Sequence, residues 1–257
     1  MLIRGCELHV VDHGRGEPPL LLVHGFTGSD VDWVDVQPAL ATKRRVVSYT
    51  HRGHGDSDHA EPYSLQELVA DLDTVITELE LAPLHLLGHS MGGAVVLRYA
   101  LEHPDRLASL ILMDTTAAPV RSAVGSMLDT IAEKALNEGM GAVFEDLRPW
   151  FADAKPEVVE RVEHKLTHMD PRAFVTLGRE MRSSQSLVDR LGELAHLPVT
   201  VLVGANDADF VEPARVMRHA IPGSHLAVIA DAGHSPQEDR PEEWRRVVEA
   251  HLARATP

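Results

Sequence analysis

Six short apolar runs, Leu20 to Val23, Val46 to Tyr49, Leu84 to Leu87, Leu110 to Met113, Val199 to Val203 and Leu226 to Ile229, are separated by longer stretches with helical spacing. Continuous runs of this length are what strands buried on both faces look like, and strands alternating with helices build a mostly parallel sheet covered on both sides. The helical stretches can be counted. From Ser64 to Glu80, the residues Leu65, Leu68, Val69, Leu72, Val75, Ile76 and Leu79 form one stripe, and Ser64 with Glu67 reads as a capping box. A second helix opens on Gly92, Gly93 and Ala94, small enough to press on the sheet, and Pro104 lies just past its end. A third is expected to begin near Pro213. The last carries Trp244, Val247, Val248, His251 and Leu252 on one face, with Pro241 in its first turn.

The alternation stops between Thr115 and Leu197, where roughly 80 residues pass without a convincing buried strand. Segments around Ser126 to Asn137, Pro156 to His168 and Arg172 to Met181 have helical patterns, so the insertion is expected to be a helical lid. The expected organisation is one α/β core from residues 1–114 and 198–257, a doubly wound and mostly parallel sheet, with a helical cap from 115–197.

With 24 Lys and Arg against 39 Asp and Glu, the net charge of -15 repels phosphate backbones and anionic membranes, which argues against nucleic acid as a partner. The single cysteine, Cys6, reads as a small buried side chain in a first strand. Residues Met1 to Val11 carry Arg4 and Glu7 and no long apolar core, unlike a signal peptide, and no apolar run approaches the ~18 residues of a membrane span. The expectation is a cytoplasmic protein acting on a small molecule.

The chemistry is expected where the run Leu84 to Leu87 meets Gly88-His89-Ser90-Met91-Gly92 and then a helix. A tight strand-turn-helix that presents a serine leaves no room for side chains two residues before or after it, hence the glycines. Such a pattern arises by chance about once in ten chains of this length, so partners are required. A serine hydroxyl needs a base to take its proton and an acid to orient that base. Gly204-Ala205-Asn206-Asp207 follows the fifth run and Ala230-Asp231-Ala232-Gly233-His234 the sixth, so Asp207 and His234 join Ser90 at the carboxyl ends of strands. Asp209 is close to Asp207, and Asp114, after the fourth run, is the alternative acid. His24-Gly25-Phe26-Thr27-Gly28, after the first run, can aim the Phe26 N–H at the same point as the Met91 N–H, two donors for an oxyanion.

With these residues the chain resembles the α/β-hydrolase superfamily over nearly its whole length. The resemblance rests on His24-Gly25, Arg52-Gly53-His54-Gly55-Asp56-Ser57, Gly88 to Gly93, Gly204 to Asp207 and Gly233-His234, in the order Ser, Asp, His. Thr50 departs from it, because members commonly carry an aspartate two residues before the Arg-Gly pair. The resemblance implies a serine hydrolase, with Ser90 as nucleophile, His234 as base and Asp207 as acid, cleaving a small-molecule carboxylic ester without a cofactor. The alternatives are carbon-carbon cleavage, lactone opening or a synthase step at the same site, with Arg121, Arg148 or Arg179 on a substrate carboxylate, or a slow ligand receptor.

Sixteen histidines raise the question of a metal. His164 and His168 are one helical turn apart with Asp170 beyond, but the intervening residues lack the glutamate of a zinc-protease helix, so no metal is expected and a solvent-facing surface is the better reading. His54 and His59 are expected to shape the loop after Tyr49. In the lid, Phe144, Trp150, Phe151, Phe174 and four methionines are mostly core, with Trp150 and Met127 the residues expected to line an apolar acyl pocket.

Overall fold

A computed structural model describes residues 1–121, 123–152 and 154–255, and for residues 123–130 it describes the main chain only. The strands are β1 (Leu2–Ile3), β2 (Cys6–Glu7), β3 (Val10–His13), β4 (Leu20–Val23), β5 (Val46–Tyr49), β6 (Leu84–His89), β7 (Leu107–Met113), β8 (Val199–Gly204) and β9 (His225–Ile229). The first two form a small hairpin; the other seven make one sheet in the order β3-β5-β4-β6-β7-β8-β9. Only β3 runs antiparallel to its neighbour. All six apolar runs are strands of this sheet; β4, β5, β6 and β8 are buried along their whole length and β7 nearly so, whereas β9, at the sheet edge, is buried only at Ile229. The sequence reading missed β3, an edge strand whose half-exposed Val10 and Val11 and exposed Asp12 and His13 show no apolar run.

The helices are α1 (Gln37–Ala41), α2 (Leu65–Glu78), α3 (Met91–Glu102), α4 (Ala123–Glu138), α5 (Met140–Leu147), α6 (Pro156–Thr167), α7 (Pro171–Ser183), α8 (Ala208–Ala220), α9 (Pro236–Asp239) and α10 (Pro241–Ala255). Strand residues alternate between two cores, as a period of two requires. Leu21, Leu86, Leu112 and Val201 join Leu68 and Leu72 of α2 and Val95 of α3 on one face. Leu20, Leu87, Ile111 and Leu202 join Leu40 of α1 and Trp244 and Val248 of α10 on the other. Each such side chain, fully buried, contributes about 1.5–3 kcal/mol relative to exposure.

Local chemistry explains the details. Ser64 Oγ accepts the Glu67 N–H at 3.0 Å, but the Glu67 carboxylate turns to Arg4 at 2.5 Å and Arg52 at 3.4 Å, so half of the expected capping box is made and an ion pair takes the other half. The helix expected to begin near Pro213 begins at Ala208, and Pro213 lies inside it. Its N-terminus is set by Asp207, whose main-chain oxygen accepts from Phe210 and Val211. Between β7 and β8 lie α4 to α7, with α4 packed on α7 and α5 on α6. The sequence reading missed α5, which Gly139 at φ 84° separates from α4. No helix among the described residues is long and apolar enough to cross a membrane.

Candidate active site

Parallel pairing brings the carboxyl ends of β4, β6, β7, β8 and β9 to one edge of the sheet, and the expected site residues hang from that edge. Ser90 turns the chain from β6 into α3 with φ 53° and ψ −116°, a conformation that costs a non-glycine residue about 1–3 kcal/mol. The turn closes because its glycines leave space: a Cβ on Gly88 would stand 2.5 Å from the Gly92 oxygen, and one on Gly92 would collide with the main-chain oxygens of Val23 and His24. The Ser90 N–H donates to the Met113 oxygen at 2.9 Å and the Thr115 hydroxyl to the Ser90 oxygen at 2.7 Å, which over-determines the strained residue.

His234 Nε2 lies 2.9 Å from Ser90 Oγ, and His234 Nδ1 lies 2.7 Å from Asp207 Oδ2. Asp207 occupies the N-cap of α8, yet its side chain makes no capping bond and goes to the imidazole instead. Phe210 and His89 flank the His234 ring at centroid distances of 4.8 and 5.0 Å. Asp114, the alternative acid, is fully buried beside them and accepts the Gly204 N–H at 2.9 Å.

The loop after β4 lies against this group. A Cβ on Gly25 would stand 3.0 Å from Ser90 Cβ, and the next residue, Phe26, stacks on Phe174 of α7 at 5.2 Å. Met91 opens α3, where the main-chain N–H groups have no carbonyl a turn before them. His24 braces the loop: its Nε2 accepts the His51 N–H at 2.9 Å, so the ring proton sits on Nδ1 and is donated to the Gly25 oxygen at 2.8 Å. Burial holds His24 below the ordinary histidine range, despite Asp32 nearby. Asp32 is paired with Lys165 of α6 at 2.6 Å, tying the inserted helices to this loop.

At Thr50 the missing aspartate is replaced by a different tie: the Thr50 hydroxyl donates to Asp30 Oδ1 at 2.8 Å and accepts the Asp30 N–H at 3.0 Å. Arg52 grips buried Asp71 of α2 through two bonds of 2.6 Å. His54, buried, bonds the Arg52 oxygen and His59 the His168 oxygen, so both shape this region.

A cavity of about 20 Å3, room for one water, opens beside Ser90 between Met91, Thr115, Ala117, Met181 and Phe210. Two further clefts measure about 270 Å3 each. One, apolar, is lined by Phe26, Leu147, Trp150, Phe151 and Phe174. The other runs past Val120, Arg121, Val188, Phe210 and Met217. Trp150 is 67% exposed and forms a rim rather than a floor. The side chain of Met127 lies outside the described residues. Arg121 borders the second cleft, whereas Arg148 is held by Glu145.

The rings of His164 and His168 stack at 4.1 Å, but Asp170 turns to Tyr63 and Arg172 and does not join them. Among the described residues, the group of histidine and carboxylate atoms close enough to share an ion is Asp114, Asp207 and His234. Sequence reasoning missed His89, whose Nε2 bonds the His234 oxygen at 2.6 Å. The signal was its place between the glycine and the serine of the motif.

A sheet of this topology, with a serine on a strained strand-to-helix turn and a histidine and an aspartate on later strand ends, defines the α/β-hydrolase fold. A family model described as the Alpha/beta hydrolase family matches residues 20–247, and the chain belongs to that family. It is similar to a thermophilic esterase from Thermogutta terrifontis, 31% identical, with a TM-score of 0.85 over 97% of this chain and 94% of that one. The enol-lactonase from Burkholderia xenovorans LB400 is 25% identical, with a TM-score of 0.87 over 98% of this chain and 99% of that one. The dihydrolipoyllysine-residue acetyltransferase component of the acetoin cleaving system of Pseudomonas putida is 33% identical, over 98% of this chain and 66% of that protein.

Proposed function

We propose that the chain is a serine hydrolase that cleaves carboxylic esters by acyl transfer through Ser90. The observation that carries this reading is the unbroken line from Asp207 through His234 to Ser90, at 2.7 and 2.9 Å. Neutral His234 takes the Ser90 proton on Nε2 as Oγ bonds to the ester carbon, and the carbonyl electron pair moves to its oxygen. The N–H groups of Phe26 and Met91 hold that oxyanion, each such donor being worth about 3 kcal/mol in the transition state. The carbon-oxygen bond to the alcohol then breaks as His234 returns its proton to the leaving oxygen. Water repeats the sequence and frees the acid. Asp207 accepts from Nδ1 throughout, so the lone pair on Nε2 faces the serine.

Residues 115–197 act as a cap over this centre, and the two clefts take the acyl and alcohol parts. A lactone is an ester whose alcohol stays tethered, and the likeness to the enol-lactonase favours testing it beside open esters. The test is turnover of p-nitrophenyl acetate, butyrate and octanoate and of a lactone panel by the purified protein and Ser90→Ala. Repeated turnover that the variant loses supports the reading. A variant as active as the parent, or one covalent event without further turnover, overturns it.

A further inference from the structure

We propose that Asp114 is a positioning residue: as a neutral carboxylic acid it donates from Oδ2 to the Asp207 carboxylate and holds that acid against His234. The inference rests on the reading of Asp207 and His234 given above. Asp114 follows β7 with φ 43°, a left-handed conformation that a residue other than glycine adopts at a cost. It is fixed at three points. Its N–H donates to the Leu202 oxygen at 2.9 Å, its Oδ1 accepts the Gly204 N–H at 2.9 Å, and its side chain is fully buried.

That leaves Oδ2, which is buried and meets no donor among the described residues. An ionised carboxylate with one bare oxygen in such a place is costly. Carboxyl oxygens of Asp114 and Asp207 and a ring nitrogen of His234 all lie within 4.8 Å of one another. Two carboxylates this close repel when both are ionised, and a proton on one of them removes the repulsion. The proton belongs on Asp114, because Asp207 already receives the His234 Nδ1–H and Asp114 has no cation beside it among the described residues. The groups facing Asp114 are the Gly204 N–H at the end of β8, Asp207 at the start of α8, His234 after β9 and Asp239 in α9. Burial pushes its carboxyl up to about 9, the Gly204 N–H opposes this, and Asp207 and Asp239 reinforce it. A proton on Asp114 satisfies both oxygens at once and sets the second oxygen of Asp207, which the imidazole alone does not fix.

Two variants test this, with phosphonate labelling of Ser90 as an independent check on the site reading. Asp114→Asn keeps a neutral donor in the same shape and should lower kcat by less than about tenfold, whereas Asp114→Ala, which removes it, should lower kcat by more than about tenfold at unchanged KM. Labelling that persists while the Ala variant matches the parent overturns the inference and leaves the site reading standing. So does an Asn variant as damaged as Asp207→Asn, which would make Asp114 the charged acid. Should the Ala variant fail to fold, melting decides. A folded-state acid raised to about 9 binds a proton that the unfolded chain has released, so stability falls as pH rises through that window. Asp114→Asn lacks this fall, and its melting temperature should gain on the parent from about pH 5 to about pH 8. A difference that does not grow with pH overturns the inference.

Discussion

The imidazole of His89 meets the main-chain oxygen of His234 at 2.6 Å, so the residue just before the nucleophilic turn holds the loop that carries the base. Burial, then the nearby His234, depress His89 to about 3, which keeps it neutral and leaves Nε2–H as the donor. His89→Ala should lower kcat about tenfold, as the loss of one buried hydrogen bond loosens the base. An unchanged kcat for a folded variant would show that the loop needs no such tie.

Asp207→Asn should lower kcat on the order of 10⁴, because an amide at this position favours the wrong imidazole tautomer. Asp114→Asn should do far less. Steady-state kinetics of the two variants side by side rank them, and the reverse order moves the acid to Asp114.

These two aspartates mark where the sequence stops being legible. Both follow buried strands, and nothing in the residues around them says which faces His234; the choice is made by the Gly204 N–H, which claims Asp114, a contact 90 positions away in the chain. The sheet was legible because strands covered on both faces are mostly apolar, as in β4, β5, β6 and β8, where the few polar residues such as Ser48, His85 and Thr200 are hydrogen-bonded inside the core. Strand β3 was not, since an edge needs no such run. The start of α8 lies before the expected Pro213, because it is set by Asp207, an N-cap whose side chain is used elsewhere. The tie between Asp32 and Lys165 was invisible for a simpler reason: it joins a loop near the start to a helix of the insertion, and no local pattern announces it.

Acid should destabilise the fold steeply. His54, His89 and His251 are depressed to about 3 and His85 to about 4, in each case first by burial. Unfolding frees them to titrate near 6.5, so as pH falls from about 6.5 towards about 4 the unfolded chain takes up protons that these rings do not bind in the fold, and this outweighs the one that Asp114 releases. This net uptake means that stability falls as pH drops through the window. Denaturation midpoints measured from pH 7 downward check the slope. A flat profile between about pH 6.5 and about pH 5 would mean these rings are charged in the fold.

Chain-length preference should be set by the rim of the apolar cleft. Trp150→Ala removes the exposed wall opposite Phe26 and should raise kcat/KM for octanoate relative to butyrate esters, each newly buried methylene contributing about 0.8 kcal/mol. An unchanged ratio would place acyl selection elsewhere, with the cleft past Arg121 and Val188 the next to test.

The central claim is that Ser90 forms the bond to the acyl group. Intact-mass and peptide-mapping spectrometry after exposure to a fluorophosphonate reads this directly. A single adduct on Ser90, slowed by Asp207→Asn and abolished by Ser90→Ala in a variant that melts like the parent, is the expected result. An adduct on another residue, or one that survives in Ser90→Ala, would contradict it.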